Sequence, residues 1–269
     1  MAHKSYRIIA DRRRYPGVTG TERYGELDAA RGIAILMMVL FHTLFDLYFF
    51  QILPVNVTSG FWRYFAFATA SLFLVIAGIS LSLSFARIRK SAASTTPFTT
   101  WIHYAKRGAF IFCCGLLVTL ATYLYLGGGF VLFGILHVIG VTIIISPLFF
   151  RFKEKNILIG ALIIAVGIVI SAVPVYGPAI LLPFGIHPAS FYSVDYEPLF
   201  PWSGLMIAGI GAGCLVYPDG KRSFSVPQTL VPALSPLAFL GRHSLVIYLI
   251  HQPLILLVLQ VLTGAPIFW

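Results

Sequence analysis

The chain has 269 residues, of which 58% are apolar and 10% charged, and its net charge is +10. Soluble domains carry about 25% charged residues, so a water-soluble globule of this length, short of polar groups for its surface, is excluded. The positive charge sits in the tail and in alternate loops rather than on one basic face, which excludes nucleic acid as a partner and leaves a topological reading.

A spanning helix needs about 20 apolar residues. Seven such runs occur, at 28–50, 61–85, 102–126, 130–150, 156–175, 198–217 and 236–262. The Arg-rich stretch before the first (Arg12, Arg13, Arg14, Arg23) is too long, and the run too far from the terminus, for a cleaved signal peptide, so the first run is read as a retained span. Gly127 to Gly129 and Arg151 to Lys155 form tight turns. The longer breaks at 176–197 and 218–235 are Pro-rich and read as ordered loops. Cys113, Cys114 and Cys214 all fall in apolar runs, so no structural disulfide is expected. The sequence predicts an all-α fold: a polytopic membrane helix bundle of about seven transmembrane helices, with 1–27 as a basic tail and 28–269 as a single domain.

Orientation follows from charge. All Lys and Arg except Arg31, near the start of the first run, and Arg63 fall in the tail, in the 86–101 loop with Lys106 and Arg107, in the 151–155 turn, in the 218–235 loop and at Arg242. Seven helices put those segments on one side, which the positive-inside rule assigns to the cytoplasm. The N-terminus is then cytoplasmic and the C-terminal Trp269 outside. The outer loops hold Asp195 and Glu197 beside aromatics such as Tyr192, Tyr196 and Trp202.

Ionisable groups inside a bilayer are costly, so each is a functional candidate. With Asp28 as zero and about 100° per residue, Arg31 falls near 300°, His42 near 320° and Asp46 near 0°. This stripe, about 60° wide and about 27 Å long, must face protein or a water-filled path. His42 and Asp46 stand one turn apart, where a carboxylate can orient an imidazole and raise its basicity. His137 and His251 fall at similar depths, His251 beside Gln252 and before Pro253. His243 follows Arg242 at the inner end and is a candidate phosphate contact. The small residues of 71–84, with Gly78, Ser80 and Ser82, suit tight helix packing.

Several stretches carry a family likeness. ELDAARGIAILMMVLFHTLFDL (Glu26 to Leu47) continues through FWRYFAFATASLFLVIAGISLSLS (Phe61 to Ser84); FGILHVIG (Phe133 to Gly140) follows; PLFPWSGLMIAGIGAG (Pro198 to Gly213) and LGRHSLVIYLIHQP (Leu240 to Pro253) complete the set. The chain resembles the catalytic-domain family of heparan-alpha-glucosaminide N-acetyltransferase, within the wider transmembrane acyltransferases. The resemblance implies transfer of an acetyl group from cytoplasmic acetyl-CoA to an amino or hydroxyl group of an extracytoplasmic sugar or glycan. Arg31, Arg87, Arg107 and Arg242, with His243, would hold the CoA phosphates. His42 would act as base, Asp46 would orient it, and His137 or His251 would polarise the carbonyl or hold the acceptor. Asp195, Trp202 and Gln252 are the candidate acceptor-binding residues. The family's histidine in the loop entering the second helix has no counterpart in Gln51 to Gly60, so His42 rests on helix geometry.

The expected partners are the bilayer, acetyl-CoA and the acceptor, and a homodimer is allowed. A proton-linked transporter or flippase using intramembrane Asp and His is the competing reading. A metal enzyme built on His42, Asp46, His137 and His251 is a third, but neither an HExxH motif nor a Cys–His spacing supports it, and no metal is expected.

Overall fold

The computed structural model describes residues 23–91, 96–173, 176–227 and 229–264. The tail below residue 23 and Trp269 lie outside them. Eight α-helices form among the described residues, with short 3-10 turns between some of them: α1 (Gly25–Phe49), α2 (Gly60–Ser91), α3 (Pro97–Leu126), α4 (Ile135–Ile145), α5 (Asn156–Ala172), α6 (Leu199–Val216), α7 (Leu230–Arg242) and α8 (Ser244–Thr263). Six helices there are long and apolar enough to cross a membrane, and the shorter apolar Ile135–Leu148 takes the place of the fourth expected span. The protein is an integral, multi-pass membrane protein with an all-α fold.

The ends follow local chemistry. Glu26 and Asp28 occupy the first turn of α1, where negative charge suits the helix dipole. α2 continues past its expected end to Ser91, with Arg89 and Lys90 in a last turn that favours cations. α3 starts at Pro97, after Thr96 accepts a hydrogen bond from the Thr99 N–H at 3.2 Å. α4 starts only at Ile135 because the preceding segment is pinned to 193–197: the Val194 N–H donates to the Gly129 carbonyl at 2.7 Å and the Glu197 N–H to the Phe133 carbonyl at 2.8 Å.

The last expected span, 236–262, is not one helix. The chain reverses at His243, where φ −102° and ψ 14° leave the helical region. Leu237 abuts Gly32 and Gly241 abuts Asp28, so α7 runs antiparallel to α1. Ile255, Leu256 and Leu259 pack with Leu47 and Phe50, so α8 runs back along α1 in parallel. Added Cβ atoms at Gly32 and Gly241 would collide with the carbonyl oxygens of Leu237 and Asp28. Small residues are what let two backbones approach this closely in lipid. The same device joins α2 to α6, where Gly78 meets the backbone of Met206 and Gly209.

The core lies between α2, α3, α4 and α6, around Leu74, Tyr104, Val138, Met206 and Ile210. Large apolar side chains point outward from α3 (Leu117, Leu124), α5 (Leu158, Leu162) and α8 (Val261, Leu262). Hydrocarbon, unlike water, accepts such a surface without cost.

Candidate active site

α1 and α8 meet through four polar side chains at adjacent levels. The Gln252 amide donates to both carboxylate oxygens of Asp46, at 2.8 Å each. Asp46 is only 3% exposed, so these donors replace the water it has lost. One turn away, the rings of His42 and His251 stand edge to face with centroids 4.8 Å apart.

Both imidazoles are oriented by their own helices. His42 Nδ1 lies 2.9 Å from the Met38 carbonyl, and His251 Nδ1 lies 2.6 Å from the Tyr248 carbonyl. A carbonyl only accepts, so in each neutral ring Nδ1 carries the hydrogen and Nε2 keeps its lone pair. The expected orientation of His42 by Asp46 is therefore not what the structure shows. Gln252 occupies the Asp46 carboxylate, and the Met38 carbonyl orients His42. His251 is 7% exposed, and its Nε2 is buried with no hydrogen-bond partner among the described residues. Leaving such an atom unpaired costs about 1–3 kcal/mol, which a bound group with an N–H or O–H would recover.

A second set of groups arrives on a loop. Ser193 Oγ lies 2.8 Å from the carbonyls of both Phe130 and Asp195, its single hydrogen serving the two, and with the Val194 and Glu197 backbone bonds it fastens 193–197 to 129–134. This places Asp195 within electrostatic reach of His42. Desolvation holds the Asp195 carboxyl above its ordinary range, partly offset by His42. Desolvation, reinforced by the negative charge of Asp195, raises Glu197 well above its ordinary range.

These groups line one cavity of about 610 Å³. His42, Asp46, His251, Gln252, Asp195 and Glu197 form the ionisable and amide part of its wall, with Tyr248 beside them and Thr58, Thr69 and Thr122 further along. Much of the remaining wall is aromatic, and Arg63 is the one Lys or Arg on it. Tyr248 was not singled out from the sequence, although its place three residues before His251 puts it on the same helical face. In the sequence Arg63 is marked only by lying outside the basic tail and loops.

Two candidates lie elsewhere. His137 occupies the third position of α4, and its Nδ1 accepts the Gly134 N–H at 3.2 Å, the opposite use of that atom from His42 and His251. Its ring is held between Phe112 and Phe133, at 5.0 and 5.2 Å, and it is absent from the cavity wall. Trp202, 8% exposed, belongs to the core behind Phe67, 5.9 Å away.

The arginines gather at the other end of α1. Arg31 donates to Asp28 at 2.8 Å and to Ser80 at 2.9 Å. The Arg107 side chain feels both Arg31 and Arg87 electrostatically. Arg242 follows Gly241, which touches the Asp28 backbone, so it shares that end. Arg87, Arg107, Arg242 and His243 are exposed, and His243 Nδ1 lies 2.9 Å from the Phe239 carbonyl. Arg31 and His42 are separated by about 16 Å along the helix axis. Among the described residues no group of three or more His, Cys, Asp or Glu side chains is placed to hold a metal ion.

Residues 23–253 match the family model described as "Heparan-alpha-glucosaminide N-acetyltransferase, catalytic", which covers α1 to α7, the first half of α8 and the cavity wall except Leu256. No curated protein and no solved structure matches the chain.

Proposed function

Because the chain belongs to the heparan-alpha-glucosaminide N-acetyltransferase catalytic family, and is thus a membrane acetyltransferase in the general sense, we propose that it moves an acetyl group from acetyl-CoA to an amino or hydroxyl group of an extracytoplasmic sugar. The arginine end faces the cytoplasm in this reading. There the clustered like charges of Arg31, Arg87 and Arg107, with Arg242 at the same end, suit the phosphates of CoA. The cavity at the far end of α1 receives the acceptor.

The acceptor nitrogen or oxygen attacks the thioester carbonyl, and its proton passes to His42 Nε2, the lone pair left free by the Met38 contact. Collapse of the tetrahedral intermediate breaks the C–S bond. The thiolate leaves and takes up that proton. Asp195 offsets the positive charge that His42 gains in between. His251, with Nδ1 already engaged, accepts a hydrogen bond through Nε2 and so holds the acceptor rather than polarising the carbonyl. Asp46 and Gln252 tie together the two helices that carry the histidines. Direct attack of this kind needs no covalent enzyme intermediate.

The observation that carries the reading is the pair of imidazoles 4.8 Å apart on one cavity wall, each with Nδ1 engaged by its own helix. The test uses purified protein, radiolabelled acetyl-CoA and a panel of amino sugars. His42→Ala should abolish transfer and leave CoA binding intact. Full turnover by His42→Ala would remove His42 as the base. Proton-driven uptake of solute without consumption of acetyl-CoA would favour a transporter.

A further inference from the structure

The polar groups occupy only part of the cavity, and the rest of its wall, Thr58, Thr69 and Thr122 aside, carries more apolar surface than one sugar ring covers. Phe41, Phe45 and Phe49 recur every four residues on α1 and stack along it, with centroids 6.4 and 5.9 Å apart. The Phe45–Phe49 planes lie within 19° of parallel. The ladder is about 12 Å long, starts beside His42, and belongs to the cavity wall with Phe67 and Phe73 from α2. Phe49 and Phe67 remain 41% and 42% exposed. A water-soluble acceptor would leave this apolar surface uncovered, whereas an apolar chain would cover it.

Arg63 adds charge to that wall. Its guanidinium lies 5.4 Å over the Phe67 ring. The ion pairs among the described residues are Arg31–Asp28 and Arg222–Glu26, so Arg63 has no carboxylate partner there. A planar cation on an aromatic wall, without a counter-ion from the protein, is matched by a phosphate.

Resting on the acetyl-transfer reading, we propose that the acceptor is a sugar carried on an isoprenyl phosphate. The isoprenoid lies along the Phe41–Phe45–Phe49 ladder, the phosphate meets Arg63, and the sugar is presented to His42 and His251. A single ladder suits a lipid with one chain better than a glycerolipid with two.

The test measures displacement of tritiated farnesyl phosphate from the full chain in phosphatidylcholine nanodiscs. Wild type should bind it saturably. Arg63→Gln should weaken binding about tenfold while Arg63→Lys keeps most of it, as expected for loss or retention of a charge-assisted contact. Farnesol, which lacks the phosphate, should bind wild type and Arg63→Gln equally, and Phe45→Ala should weaken both ligands alike. No saturable farnesyl phosphate binding, equal binding by wild type and Arg63→Gln, or equal competition by dioleoyl phosphatidic acid would overturn the proposal. The ligand has no amine, so the two readings fail separately. Acetyl transfer to a soluble amino sugar without farnesyl phosphate binding would overturn only the acceptor class. Farnesyl phosphate binding without transfer to any amine or hydroxyl would overturn only the acetyl-transfer reading.

Discussion

Replacing Gln252 by Leu keeps the side-chain bulk and removes both donors to Asp46, at 2.8 Å each. Asp46, 3% exposed, has no ready access to water in their place. Hydrogen bonds to charged groups are worth about 1.5–3 kcal/mol each, and the two share one nitrogen, so a joint loss of about 3 kcal/mol is the working figure. For a chain of this size that lowers the midpoint of thermal unfolding by about 6–12 °C. Replacing both residues by Leu removes the stranded carboxyl as well. The double variant should therefore melt above Gln252→Leu alone, with a coupling of at least about 1 kcal/mol. The assay is thermal unfolding of the four proteins (wild type, two singles and the double) in one detergent. Additive losses, with coupling below about 0.5 kcal/mol, would refute the argument that this pair links α1 to α8.

Three further outcomes are expected. The carboxyls of Asp195 and Glu197 titrate above their ordinary range in the folded chain, so the folded state binds those protons more tightly than the unfolded state. Their contribution is complete below about pH 4 and is lost as pH rises through the folded-state values; Glu197→Gln should flatten the decline in melting temperature between pH 4.5 and 8, and an unchanged slope would contradict the assignment. His137→Ala should cost about 2–4 kcal/mol, mainly through the cavity left between Phe112 and Phe133, and change turnover less than threefold, measured by unfolding and by acetyl transfer on the same preparation. Arg242→Ala should raise the KM for acetyl-CoA about tenfold, by loss of a phosphate contact, and leave kcat nearly unchanged; a fall in kcat at constant KM would place it outside donor binding.

The polar stripe of α1 was legible because helical periodicity alone aligns Asp28, Arg31, His42 and Asp46. Depth along the helices likewise placed His42 and His251 at one level, and they meet at 4.8 Å. Their hydrogen-bond partners were not legible. A one-turn spacing suggested that Asp46 serves His42, yet a primary amide on the opposite helix supplies two donors to a carboxylate, and the Met38 carbonyl is always within reach of Nδ1. His137 shared the same depth, but hydropathy cannot show that 129–134 is diverted into backbone pairing and delays α4 until Ile135. The reversal at His243 was hidden for a related reason. Both arms of 230–263 are apolar, so averaging over 236–262 sees one continuous run, and only the Gly241–Arg242–His243 interruption marks the corner.

The anchoring of the two imidazoles has a consequence for mutagenesis. The atoms that decide which ring nitrogen stays basic belong to the peptide groups of Met38 and Tyr248. Side-chain replacement leaves those oxygens in place. A scan along α1 and α8 would therefore register each histidine, yet never register what sets its tautomer. Only backbone chemistry, such as an ester substituted for the amide that contains the Tyr248 carbonyl, would weaken that acceptor while leaving every side chain in place.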